Sequence, residues 1–235
     1  MIKENKVSKY ILYAFGEIIL VVIGILIALQ INNANEKNKI SIVEQQILID
    51  LQNETNSNIE NLKLVTRINQ LSLENARILT EFFVHPKKLI EISGDSIENL
   101  VYTLPGALFF PENGILNSIT STSQLSYIRN LKLKHALASI KDKVENKMLL
   151  TNEIQKLGNK YLDELIYPKI APTINMEDYT ETQYDARKVY EIPEFTLTIQ
   201  GTFNARRQIA LKNEEDLMKA YENILTLINQ EIDSK

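Results

Sequence analysis

The chain has 235 residues, 24% of them charged, with 26 Lys and Arg against 30 Asp and Glu for a net charge of −4. That balance offers no basic surface to nucleic acid, and the lack of cysteine excludes a disulfide scaffold, a thiolate zinc site and lipidation on cysteine. Glycine (7) and proline (6) are sparse and tryptophan is missing, so the chain reads as helical, with enough residues for one domain with a real core.

The first element is Tyr10 to Ile31, an apolar run in which Glu17 is the only charged residue. At ~1.5 Å rise per residue a helix of this length crosses a ~30 Å hydrocarbon core with little tilt. Lys3, Lys6 and Lys9 would suit the basic start of a secretory signal, but Gln30 to Asn35 holds no small-x-small cleavage pair. The run is also longer than the ~7–15 residues of a signal core, so we expect an uncleaved signal anchor. The three lysines before it outweigh Lys37 and Lys39 after it, which by the positive-inside rule places the N-terminus in the cytoplasm. The predicted division is a cytoplasmic terminus (1–9), a single transmembrane helix (10–31), a juxtamembrane linker (32–39) and an exported helical domain (40–235). In this reading the protein sits in the inner (cytoplasmic) membrane with its body in the periplasm and the lipid bilayer as its first partner.

Ala14, Glu17, Gly24 and Ala28 project within roughly 80° of one another at the helical period. Gly24-x-x-x-Ala28 is a small-xxx-small pattern that lets two membrane helices approach closely. A carboxyl group in a membrane span is costly and is a functional hypothesis by default. For Glu17 three readings stand: packing against a second helix, solvation at the interface or pairing with Lys9, and a proton-coupled role. Its early position in the span weighs against the third.

Asn32 to Lys39 is polar, either a linker or a continuation of the same helix. Ile40 to Phe83 contains neither proline nor glycine, and Ile40, Val43, Ile47, Leu51, Leu64, Ile68, Leu71, Ile78 and Phe82 recur at helical spacing. Gln52 to Asn58 has no apolar residue, being either a solvated middle or a polar layer that fixes register with a partner helix; we expect the solvated middle. His85-Pro86 stops the helix. Gly94-Asp95-Ser96 is a turn into a short helix from Ile97 to Leu104, which Pro105-Gly106 ends. Ala107 to Phe110 forms an apolar plug, and a second short helix from Ile115 to Thr122 leads into Thr120-Ser121-Thr122-Ser123, a run that caps and connects rather than reacts.

Leu131 to Tyr167 is the clearest amphipathic helix, with Leu133, Leu137, Ile140, Val144, Met148, Thr151, Gln155, Leu162 and Leu165 on one stripe and Pro168 as its end. Gly158 costs it about 1 kcal/mol relative to alanine without breaking it. We expect this helix and the first to pair antiparallel. The segment from Pro168 to Gly201 holds three prolines, an acidic run (Glu177, Asp178, Glu181, Asp185) and three tyrosines (Tyr179, Tyr184, Tyr190). Phe195, Leu197 and Ile199 alternate as in a strand, but no partner strand is visible, so we expect an extended connection. The last helix runs from Thr202 to Ile232, with Leu217, Tyr221, Ile224, Ile228 and Ile232 on its core face. Glu214-Glu215-Asp216 marks a possible start, and Arg206-Arg207 is an exposed, solvated pair.

No phosphate-binding, dinucleotide, nucleophile-elbow or zinc-protease motif occurs. His85 and His135 lie in different elements without metal-ligand spacing. We therefore expect a non-enzymatic protein with no catalytic residue, no cofactor and no metal, and no nucleic-acid partner. The fold expected is all-α: the transmembrane helix, then an elongated antiparallel helical bundle with coiled-coil character, short helices and one long irregular loop.

Gly16-Glu17-Ile18, continuing through Val21-Val22-Ile23-Gly24-Ile25 to Ala28-Leu29-Gln30-Ile31-Asn32-Asn33, resembles the N-terminal signature of a family of small single-span membrane proteins of Bacteroidota, especially flavobacteria, whose function is unknown. Ser123-x-Leu125-x-x-Ile128-x-Asn130-x-x-Leu133 resembles a second family pattern, a serine-led turn into a long helix. With the last helix the resemblance covers nearly the whole chain. Two departures stand out: Ala34 replaces the family's usual tryptophan, removing an interfacial anchor, and Gln124 stands where glycine is common. The resemblance implies a membrane-anchored helical protein and supplies no catalytic residue. Function is accordingly expected to be that of an interaction or scaffold protein of the cell envelope, self-associating or binding an envelope protein. The alternatives are a sensor-like ligand-binding module using the 105–114 and 168–201 loops, and a subunit of a proton-coupled complex using Glu17.

Overall fold

The chain was described from a computed structural model covering residues 4–85, 87, 94–170 and 186–234. It is all-α, with no strand among the described residues. Helix α1 (Glu4–Val84) is continuous over 81 residues, which at ~1.5 Å per residue makes it ~120 Å long. The apolar stretch, the polar residues 32–39 and the helix expected after them are thus one element. The reason is visible in the residues: no proline precedes Pro86, and Gly16 and Gly24 are the only glycines before Gly94. The helix ends at Val84, with the His85 N–H closing on the Glu81 carbonyl. Pro86 lies outside the described residues.

After α1 come α2 (Gly94–Tyr102), α3 (Gly114–Ser121), a 3-10 turn (Gln124–Tyr127) and α4 (Leu131–Tyr161). A wide π turn (Leu162–Ile166) joins α4 to a last helical turn, α5 (Tyr167–Ile170). Pro168 therefore does not end this helix, contrary to expectation. The Tyr167 N–H bonds to the Leu162 carbonyl, five residues back, and this widened turn carries the chain past a ring that would clash in a regular α-helix.

The strand-like alternation of Phe195, Leu197 and Ile199 also proved misleading. These residues lie in α6 (Pro193–Thr198), opened by Pro193, and in the π turn after it (Ile199–Arg206). Phe195 and Ile199 are buried and Leu197 is exposed, which is an i, i+4 pair on one helix face rather than a pleat. The segment is thus helical, not an extended connection, and a 3-10 turn (Ala186–Glu191) precedes it. The acidic run of Glu177, Asp178, Glu181 and Asp185, with Tyr179 and Tyr184, lies outside the described residues. Helix α7 (Arg207–Asp233) completes the chain.

The C-terminal helix α7 is the middle of the molecule. Gln52 meets Asn229, Asn69 meets Glu214 and Thr80 meets Asn204, so α7 runs antiparallel to α1. Asn130 meets Glu231, Lys147 meets Asp216 and Thr151 meets Glu214, so α7 is antiparallel to α4 as well. Helices α1 and α4 consequently run parallel, correcting the antiparallel pairing expected from their lengths. The long connection between them makes this possible by doubling back first. One core lies between Leu48, Leu51 and Leu62 of α1, Leu133, Leu137 and Met148 of α4, and Leu217, Tyr221 and Ile224 of α7. A second lies between Leu79 and Phe82, the α2 residues Ile97 and Val101, and Phe195, Ile199 and Phe203. In the α4 stripe Ile154 and Gly158 are buried alongside the expected Leu133, Leu137, Ile140, Met148 and Thr151, while Val144 and Gln155 are half-buried; the side chain of Leu165 lies outside the described ones.

The doubling back is done by residues 103–116, which run along α1 in the opposite direction as a strap. Asn75 donates to Thr103 Oγ1, Ser72 to the Leu104 carbonyl, and Asn61 to the Phe110 carbonyl. Asn58 donates to the Glu112 carbonyl at 2.8 Å and accepts the Glu112 N–H at 2.7 Å. Glu54 accepts the N–H groups of Ile115 and Leu116, satisfying donors that open α3. The polar stretch Gln52 to Asn58 is thus no solvated middle: Thr55 and Asn58 are buried, and the stretch is a ladder of side chains holding backbone. The Thr120 to Ser123 run caps as expected, with Thr120, Ser121 and Thr122 donating to carbonyls within α3. Asn130 caps α4 by accepting the Leu133 N–H.

Gly106 is the bend of the strap, at φ +72°, and a Cβ built there would collide with Asn69 Oδ1 and press on the Arg207 guanidinium. Gly106→Ala should therefore cost about 2–3 kcal/mol, from the left-handed backbone and the displaced hydrogen bonds. Chemical denaturation of the two proteins would check this, and equal midpoints would refute it.

Candidate functional site

Where the strap bends, four elements meet around two fully buried charges, Arg207 and Glu214. The π turn before α7 sets the phase of this helix. Its buried residues, Arg207, Ala210, Glu214, Leu217, Tyr221, Ile224 and Ile228, then repeat at spacings of three and four. The charges occupy two positions of an otherwise apolar stripe, so the fold buries them.

Asn69 of α1 stands between the two. Its Oδ1 accepts from Arg207 Nη1 (3.1 Å) and from the Ala107 N–H (2.9 Å). Its Nδ2 donates to Glu214 Oε1 (2.8 Å) and to the Ala107 carbonyl (3.2 Å). Arg207 Nη2 donates to the carbonyls of Pro105 (2.6 Å) and Leu104 (3.2 Å), and Thr151 of α4 donates to Glu214 Oε1 (2.8 Å). The cluster ties α1, the strap, α4 and α7 at one point. Gly158 lets α4 come close beside it, since a Cβ there would lie 3.1 Å from Pro105 Cα.

Burial pulls the Arg207 pKa down to about 10, opposed by the charge of Glu214. Burial likewise raises the Glu214 carboxyl above its ordinary range, opposed by hydrogen bonds from Thr151 and Asn69, by the Thr66 hydroxyl and by Arg207. Thr66 is close enough to act on the carboxylate, yet Thr66 Oγ1 and Glu214 Oε2 each lack a hydrogen-bond partner. Both residues line a cleft of ≈ 390 Å³ between α1 and α7.

The residues singled out in the apolar N-terminal stretch lie far from this cluster. Ala14, Glu17, Gly24 and Ala28 are all exposed on α1, and a Cβ built at Gly24 would meet nothing within 4 Å. His85 and His135 are exposed, and the described residues contain no group of three or more His, Asp or Glu able to hold a metal ion. Arg207, expected to be solvated, is buried, and Glu214 lies inside α7 rather than at a helix start. The signal was present: extending the Leu217, Tyr221, Ile224 periodicity backwards reaches Glu214, Ala210 and Arg207.

The 105–114 segment, expected as the mouth of a binding pocket, is instead fastened to α1 by Asn58, Asn61 and Asn69. The molecule is thus an all-helical protein whose long first helix has a stretch apolar and long enough to cross a membrane. The chain belongs to the Family of unknown function (DUF6090), whose model matches residues 17–171. The match is narrower than the nearly full-length resemblance expected: it takes in Asn69, the strap and Thr151, while Arg207 and Glu214 lie beyond it. No curated protein and no solved structure matches the chain.

A carboxyl whose folded pKa is raised binds its proton more readily in the folded chain. Its contribution to stability is fully present below the ordinary value of 4.5 and is lost as pH rises through the folded value. The stability difference between wild type and Glu214→Gln should accordingly shift against wild type as pH rises above the ordinary carboxyl value of 4.5. Denaturant midpoints measured at a series of pH values from 4.5 upward would show it; parallel profiles would contradict it.

Proposed function

We propose that the protein is a non-enzymatic, membrane-anchored interaction protein of the cell envelope that self-associates along α1. The apolar stretch crosses the inner membrane, Lys9 and its neighbours stay in the cytoplasm, and the helical body lies in the periplasm. The observation that carries this reading is the continuity of α1. Ala14, Glu17, Gly24 and Ala28 face one way, and further along the same helix Leu64, Ile68, Leu71 and Ile78 are exposed in the same phase at ~3.6 residues per turn. This outer stripe points away from the core residues Leu48, Leu51 and Leu62, which lie toward the opposite side of the helix at ~3.6 residues per turn.

Two copies anchored in one membrane share an orientation, so their α1 helices meet in parallel about a two-fold axis along the membrane normal. The small residues of the membrane face permit close approach, and the soluble stripe adds apolar contact directly above it. An unbroken helix between the two makes one alignment serve both.

Gly24→Ile should abolish the dimer captured by crosslinking in membranes while leaving expression intact; an unchanged dimer would remove the membrane-packing reading. Topology is tested separately, by a reporter active only outside the cytoplasm fused after Lys235. Activity is expected, and silence from an intact membrane-bound fusion would mean that the body faces the cytoplasm.

A further inference from the structure

Phe110 sits on the strap and is 72% exposed, whereas Phe82, Phe109, Phe195 and Phe203 are buried. A ring left in water forgoes the stabilisation that burial gives a large apolar side chain, and slack in the chain is not what leaves it there. Asn61 donates to the Phe110 carbonyl at 3.2 Å, and Asn58 holds both backbone groups of Glu112, two residues on. The strap thus presents an aromatic knob on a fastened backbone, so little ordering remains to be done when a partner arrives.

The place of the knob around α1 decides what it can meet. At ~100° per residue, Asn61 lies roughly 60° to one side of Leu64 and Arg67 roughly 60° to the other. Asn61 marks the flank that carries the strap, and Arg67 the flank that opens into the α1–α7 cleft. The outer stripe, with Leu64 60% and Leu71 49% exposed, runs between the two flanks.

The rim of the cleft is mixed in charge. Lys63, Arg67 and Lys219 stand against Glu215 and Glu222, with Glu214 buried behind them. An ionic occupant of either sign meets like charge there, and an uncharged ring does not. The alkyl stems of Lys63 and Arg67 and the adaptable thioether chain of Met218 offer such a ring apolar walls. The Arg67 guanidinium is suited to stack on its face.

The next step rests on the parallel pairing proposed above. A two-fold axis along the membrane normal turns the strap flank of one copy toward the cleft flank of the other at the same height. Phe110 is level with Asn61, which is ~3 Å along the helix from Lys63. We infer that Phe110 of each copy inserts into the α1–α7 cleft of the other, against Lys63, Arg67 and Met218, so that two identical knob-in-cleft contacts close the dimer above the membrane. Each copy supplies one knob and one cleft, and the pair uses all four, which leaves nothing to recruit a third copy.

The chain has no cysteine, so introduced thiols report single contacts. Full-length copies carrying Phe110→Cys are co-expressed with copies carrying Lys63→Cys, Met218→Cys or, at an exposed position of α4, Leu149→Cys, and are oxidised in membranes. Leu64→Cys alone reads the stripe. Disulfides are expected from Leu64→Cys with itself and from Phe110→Cys with Lys63→Cys or Met218→Cys, and not with Leu149→Cys. Phe110→Ala should weaken the dimer about tenfold in sedimentation of the detergent-solubilised protein. Linkage through Leu64→Cys with none from position 110 into the cleft, equal linkage from 110 to 149, or an undiminished dimer in Phe110→Ala overturns the knob and leaves self-association standing. If Leu64→Cys does not link either, the pairing itself fails and the knob falls with it.

Discussion

Asn69 is the side chain on which the arrangement depends. Its amide gives two hydrogen bonds and accepts two, joining the guanidinium of Arg207, the carboxylate of Glu214 and both backbone groups of Ala107. A buried ion pair is a poor source of net stability, because desolvation consumes most of the Coulomb gain. Here the two charges are separated by an amide that hydrogen-bonds to each, and the guanidinium is spent largely on carbonyls of the strap. The cluster's role is positional: it sets the register in which α7 meets α1 and the point at which the strap bends.

The strap, in turn, decides the topology. An extended segment lying on a helix has backbone groups that find no ladder, and burying them unpaired would be prohibitive. Helix α1 answers with side chains at intervals, Asn58 and Asn69 each pairing with both backbone groups of one strap residue. That solution lets the chain return along α1 before α4 begins, so α4 runs parallel to α1 and leaves the antiparallel place between them to α7.

Much of this was legible in the residues and some of it was not, for physical reasons that can be named. Long helices free of proline and glycine declared themselves, and so did the apolar face of α7 from Leu217 to Ile228. Periodicity failed where period alone is ambiguous: Phe195, Leu197 and Ile199 fit a strand or a helix until Pro193 is recognised as an opening residue. Pro168 was misread because a π turn can absorb what a regular helix cannot. The polar residues were the hardest. Thr55, Asn58, Arg207 and Glu214 look like solvent-facing side chains by type, and only the segments packed against them reveal them as interior. The candidate site was therefore hidden in the very residues that composition assigns to the surface.

The placement of α7 has a consequence in time. Helix α7, which lies between α1 and α4 in the first core, is synthesised after both of them, and its contacts reach back to residues near the beginning of the body, such as Gln52 and Asn69. Early-made segments cannot close around one another without it, and contacts of such sequence separation slow folding. The first core is thus kept open until α7 has emerged. Helix α1 and the strap must spend that interval as a partly assembled scaffold, with the Leu48, Leu51 and Leu62 face still uncovered.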